Sequence, residues 1–185
     1  MGELVRAAAT GDRQAWDELV DRYSGLLWSI AMAYRLGRAD AADVVQTVWL
    51  RLLENLERLR EPDRVGAWLA TTARRECQRA LAQTRRMLPT DDEWRLEPRD
   101  DAVPTPEAVA LTSERDRLLW MAFAQLSEQC QRLLRILMVA SPPYEVVAAA
   151  LGMPVGSIGP TRARCLERLR RRLSASGISA DVGDS

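Results

Sequence analysis

The 185-residue sequence predicts an all-α protein: two small helical domains joined by a flexible acidic linker, the second carrying a helix-turn-helix. Three observations predict this. Apolar residues recur at intervals of three and four over most of the chain, and no alternating strand pattern or internal repeat stands out. A stretch at 89–113 breaks that rhythm with four prolines and seven acidic residues. After it, a short apolar helix, a glycine turn and an arginine-loaded helix follow in order. The expected organisation is a helical domain at 10–88, a linker at 89–113, a helix-turn-helix domain at 114–173 and a disordered tail at 174–185.

In the first domain, Asp12 is a good N-cap, because its carboxylate can accept from the free N–H groups of a first turn. Trp16, Leu19, Val20, Tyr23, Leu26, Leu27 and Ile30 then form one apolar stripe. Gly37 breaks it. A second helix is predicted from about Asp40, with Val44, Val45, Val48, Trp49, Leu52, Leu53 and Leu56 facing inward. Pro62 interrupts again. A third helix, from about Asp63 to Met87, carries Val65, Trp68, Leu69, Ala73, Cys77 and Leu81. Short connections between three such helices make a bundle.

The second domain opens with Leu118, Leu119, Ala122 and Phe123 at helical spacing. A further helix is capped by Ser127. Val146, Val147, Ala150 and Leu151 line the next, with Ser141 as its expected cap. Gly152 follows the last periodic residue, where a left-handed C-cap favours a residue without Cβ. Ser157 is the expected N-cap of the last helix, which puts Pro160 in the first turn, where a missing N–H costs nothing. Ile158, Cys165, Leu166, Leu169 and Leu173 form its inner side. Arg162, Arg164, Arg168, Arg170, Arg171 and Arg172 are left outside. An apolar helix, a tight turn and a basic helix are the arrangement that inserts a reader into the DNA major groove. Arginines in its first half suit base edges, and the later run suits phosphates.

Charge is distributed to match. The chain is neutral overall, but residues 89–113 hold two arginines and seven acids, and residues 114–173 hold ten arginines and five acids. Zero net charge argues against a generic polyanion binder. There is no histidine, and the three cysteines form no CxxC pattern, so neither a metal site nor a disulfide framework is expected. Cys77, Cys130 and Cys165 are read as small core residues. No apolar run is long enough to span a membrane, and the first residues lack the apolar core of a signal peptide. A cytoplasmic protein with no membrane insertion, no cofactor and no enzymatic activity is expected.

The first domain carries a family resemblance. DAADVVQTVWLRLLENL (Asp40 to Leu56) resembles the core-polymerase-binding helix of the extracytoplasmic-function (ECF) sigma factors, small two-domain members of the sigma-70 class. The family pattern of an Asp, a Gln three residues on and an aromatic three further is met by Asp43, Gln46 and Trp49. GDRQAWDELVDRYSGLLWSIA is similar to the family's opening helix. GAWLATTARRECQRAL resembles the helix that engages the minus-ten promoter element. LSEQCQRLLRILMVASPPYEVVAAALGMPVGSIGPTRARCLERLR resembles the domain that reads the minus-thirty-five element.

The resemblance implies a sigma factor that binds core RNA polymerase, through the β′ clamp helices and the β flap, and directs promoter recognition, DNA melting and initiation. Asp43, Gln46 and Trp49 would contact the polymerase. Arg60 and Asp63, in the loop LREPDRV, and Arg74, Arg75, Gln78 and Arg79 would contact the minus-ten element, where the family traps a flipped base. Ser157, Thr161, Arg162, Arg164 and Arg168 would contact the minus-thirty-five element. An anti-sigma protein is a further implied partner. Two departures bear on promoter sequence. Gly159-Pro160 replaces a usual polar or basic pair, and Arg79 stands where relatives often carry Asp. The alternative is a stand-alone helix-turn-helix regulator with a helical sensor or dimerisation domain; a helical adaptor that mimics a sigma domain is a third reading.

Overall fold

The computed structural model describes residues 1–87 and 114–175. The expected linker lies outside the described residues, as does the expected tail except for Ser174 and Ala175, which continue the last helix instead of starting a disordered tail. The described chain is helical: α1 (Gly2–Ala9), α2 (Arg13–Ala33), α3 (Arg38–Asn55), α4 (Val65–Met87), α5 (Glu114–Ala124), α6 (Glu128–Ala140), α7 (Tyr144–Leu151) and α8 (Val155–Ala175). Two single turns of 3₁₀ helix, Leu56–Arg58 and Pro62–Arg64, join α3 to α4.

Local chemistry sets several boundaries. The Asp12 carboxylate accepts from Gln14 and Ala15 N–H, starting α2. Ser127 Oγ accepts from Cys130 N–H, starting α6. Gly152 closes α7 in the left-handed region, at φ 66°, and Met153 N–H bonds back to the Ala148 carbonyl.

Two expected caps are corrected. The last helix begins at Val155, not after Ser157. Pro154 already presents its carbonyl to Ser157 N–H, and Ser157 Oγ donates to the same oxygen at 2.7 Å. The hydroxyl is therefore spent inside the first turn, and Pro160 stands in the helix interior, where its ring removes one ladder bond. Ser141 does not cap α7 either. It terminates α6 with φ 39°, and Pro143 holds the N-cap position of α7 with no side-chain bond.

α1 lies before the first expected helix. Its Val5 and Ala8 are buried, and it packs on α2 and on both 3₁₀ turns. The stripes of α2, α3 and α4 meet around Leu19, Leu27, Ile30, Val48, Leu52, Val65 and Leu69, all fully buried. Each such side chain stabilises the fold by roughly 1.5–3 kcal/mol. Leu53 is a correction: the expected inner residue is 60% exposed.

The second helical set packs directly on the first. α6 lies along α2, and α7 lies along α4, so one continuous core runs through both. Polar bonds stitch the seam. Tyr34 Oη donates to the Ala150 carbonyl at 3.0 Å, and Arg35 donates to Gln131 Oε1 at 2.6 Å. Gln131 is itself buried, and its amide donates to the Ala124 and Leu126 carbonyls. The Arg132 guanidinium lies 4.7 Å above the Tyr34 ring.

Burial pushes the Tyr34 phenol above its ordinary 10.0, and the nearby Arg132 charge opposes only part of that. A raised folded value means the unfolded chain loses its proton first. The contribution is complete below about pH 10 and is lost as pH climbs through the folded value. Thermal melts are therefore expected to fall steeply at alkaline pH, and Tyr34→Phe is expected to shrink that fall. An identical alkaline profile in the Phe variant would remove this account of the seam.

All three cysteines are core residues, as expected, but two of them depart from expectation by pairing. Cys77 is a free, buried thiol, pushed up to about 12 chiefly by burial. Cys130 and Cys165, also buried, are joined as a disulfide. They lie 35 residues apart on α6 and α8, and packing brings their Cα atoms to 5.4 Å, within bonding range. A separation of that length carries no such signal in sequence.

Candidate nucleic-acid and polymerase interfaces

Asp43 and Gln46 are three residues apart on α3 and both are exposed. The same face continues through Leu50 and Leu53, which are 53% and 60% exposed. Sequence reasoning missed this pair. The usable signal was register: Leu50 and Leu53 follow Asp43 and Gln46 at +7, whereas the buried set is Val44, Val45, Val48 and Leu52. The result is a polar-then-apolar strip on one helix. Trp49 borders it, half-buried, edge-on to Trp16 at 5.8 Å between ring centroids.

The basic face of α4 divides in three. Arg75 and Gln78 are exposed. Arg79 is exposed and donates to Glu76 at 2.8 Å; Glu76 also sits 3.1 Å from Arg51 Nε. That pairing neutralises part of the charge on this turn. Arg74 differs. It is half-buried, its Nε finds no hydrogen-bond partner among the described residues, and its guanidinium lies against Gly152 at the end of α7. A Cβ on Gly152 would come within 2.9 Å of Arg74 Nη1. A cation at a helix C-terminus is favourably placed against the carbonyl end of the dipole.

Arg60 and Asp63 are exposed in the loop between α3 and α4. Asp63 accepts from Gly2 N–H at 2.6 Å, so α1 braces this loop from behind. A cleft of about 360 Å³ opens beside it, lined by Tyr23, Asp63, Arg64 and Gly66 on one side and by Pro142, Glu145 and Val146 on the other.

On α8, Arg162, Arg164 and Arg168 point outward. Arg164 and Arg168 are four apart and share a face, and Arg162 sits to one side of it. Thr161 is corrected. It is only 9% exposed, because it lies three residues after Ile158 and four before Cys165, on the same inward row. Its hydroxyl accepts from Arg164 Nη2 at 3.1 Å. Thr161 therefore steadies Arg164 rather than presenting itself. Ser157 is half-buried, with its hydroxyl turned to Pro154. No group of metal-ligating side chains occurs among the described residues.

A family model, Sigma-70 region 2, matches residues 19–87, which span α2 to α4. The ECF RNA polymerase sigma-E factor of Haemophilus influenzae is 24% identical over 177 residues, covering 92% of this chain and 93% of the relative. The ECF RNA polymerase sigma-E factor of Escherichia coli K12 is 24% identical over 162 residues, covering 84% of each. Among solved structures, CnrH in complex with the cytosolic domain of CnrY matches with a TM-score of 0.60 at 18% identity, over 94% of this chain and 97% of that one, and shares its fold. The region 2 match lies on the helices that carry the Asp43–Gln46 strip, and the relatives are of one kind, so the comparisons support an ECF factor of the sigma-70 class.

Proposed function

We propose that this chain engages core RNA polymerase with the α3 strip of Asp43, Gln46, Leu50 and Leu53, and reads promoter DNA with α4 and α8. It is a sigma factor that directs transcription initiation and carries out no bond-making chemistry itself. Its partners are core polymerase and promoter DNA, and its place of work is the cytoplasm. No described helix is long and apolar enough to cross a membrane. The relative CnrH is seen with the cytosolic domain of CnrY, which supports an anti-sigma protein as a partner here too.

The observation that carries this reading is the pairing of two features on one chain: an exposed Asp–Gln–Leu–Leu face within the region 2 match, and an outward arginine face on the second helix of a helix-turn-helix. A stand-alone regulator needs only the second. Arg75, Gln78 and Arg79 would contact the minus-ten strand, with Arg60 and Asp63 at the flipped base. A flipped base costs a few kcal/mol to unstack, offset by contacts in such a pocket. Arg162, Arg164 and Arg168 would contact the minus-thirty-five duplex.

The packed arrangement adds a condition. Arg74 is occupied by the end of α7, so reading the minus-ten strand with Arg74 requires α5–α8 to leave α2 and α4. Held on one polymerase, two weak readers then gain effective concentration.

The test is run-off transcription with purified core polymerase and a whole-genome template. Discrete new start sites are expected only when the chain is present. Unchanged start sites, together with tight binding to a palindromic duplex without polymerase, would favour the stand-alone regulator.

A further inference from the structure

α8 is held thinly. Of its 21 residues, Ile158, Thr161 and Cys165 are buried, and the arginines on either side of Cys165 face outward. Apart from the main chain, the covalent tie between α8 and the rest of its module among the described residues is the Cys130–Cys165 bond to α6. That bond joins nothing across the seam: α6 meets α2 and α7 meets α4, but both sulfurs belong to the α5–α8 set. A module of about 60 residues buries little core by itself and needs cross-links more than larger domains do. When it leaves α2 and α4 it gives up its share of the common core. The cross-link encloses α7 and the turn, the elements that position α8.

We propose that Cys130 and Cys165 form a reversible thiol–disulfide site that staples the DNA-reading helix α8 to α6, so that an oxidant such as a peroxide strengthens upstream-element binding. The consequence for DNA rests on the sigma-factor reading; the staple does not. Transcription takes place in a reducing compartment, where protein disulfides are mostly transient or redox-sensing. Opening of the thinly held α8 exposes both sulfurs. One thiolate attacks a peroxide oxygen, the O–O bond breaks, and water leaves after protonation, giving a sulfenic acid. The second sulfur attacks the first, the S–O bond breaks, and a second water leaves. Two thiols lose two electrons in total and the peroxide becomes two waters. A dithiol reverses the bond by exchange. Cys77, buried with its thiol pushed up to about 12, stays reduced and serves as an internal reference.

The test uses the full chain, treated with hydrogen peroxide or with dithiothreitol and then alkylated after denaturation. The peroxide-treated protein is expected to show one alkylatable thiol and the reduced protein three, matching the three cysteines. The oxidised form is expected to melt higher by at least about 5 °C. As holoenzyme it is expected to hold a minus-thirty-five duplex at least about threefold more tightly, from preorganisation of α8. Cys130→Ala/Cys165→Ala is expected to abolish both differences. The comparison of oxidised with reduced wild type decides the matter even if that variant folds poorly. Three free thiols after peroxide, equal melting of the two forms, or equal duplex retention would each overturn the proposal. If thiol counts and melting change as expected but no start site is selected in either state, the sigma reading fails and the staple stands.

Discussion

Replacing Asp43 and Gln46 together with alanine is expected to weaken binding to core RNA polymerase by on the order of 2–4 kcal/mol, while the chain stays folded. Both side chains are exposed on α3, so the substitution removes no buried contact, and surface changes of this kind cost within about 0.5 kcal/mol of stability. What it removes is a carboxylate and an amide that, once desolvated against a partner helix, orient the contact. Leu50 and Leu53, left in place, supply apolar area without direction. Co-purification with core polymerase, alongside a thermal melt, checks both halves. Wild-type recovery of polymerase by the double variant would take the interface off this face. A lowered melting temperature would mean that α3 was disturbed.

Arg164→Ala is expected to cost about 1–3 kcal/mol in upstream-element binding by the holoenzyme, and to relax preference at one base pair rather than weaken all sequences evenly. The guanidinium is exposed on the face it shares with Arg168, and the buried Thr161 hydroxyl accepts from it. That bond narrows the orientations the fork can take, which suits bidentate reading of a base edge. Arg168→Ala, by contrast, is expected to lower affinity uniformly and to reduce its salt dependence, as loss of a phosphate contact does. Quantitative footprinting over a set of single-base promoter variants separates the two. An Arg164→Ala holoenzyme with an unaltered base preference would reassign the reader.

How much of this was legible in sequence depended on range. Asp12, Ser127 and Gly152 could be assigned because a cap is satisfied within three or four residues of itself. Ser157 and Ser141 are equally good caps in isolation, yet neither serves. Two start signals overlap at 154–157, and sequence does not show which wins; Pro154 does, by taking the Ser157 hydroxyl. That shift of three residues put Pro160 in the helix interior, whereas the inward position of Thr161 already follows from its spacing to Ile158 and Cys165. Leu53 shows the same weakness. An apolar residue at helical spacing can border a stripe or belong to it, and only the neighbouring helices show which.

Sequence alone determined most of the helices after α1, the arginine face of α8 and the three-residue spacing of Asp43 and Gln46, because periodicity and spacing act over a few turns. Only the tertiary structure decided three further matters. It set α7 over Arg74, it ran one core through both helical sets, and it brought Cys130 to Cys165. The reason is physical: those contacts join residues far apart in the chain, and burial chooses them by shape and area, which no local pattern encodes.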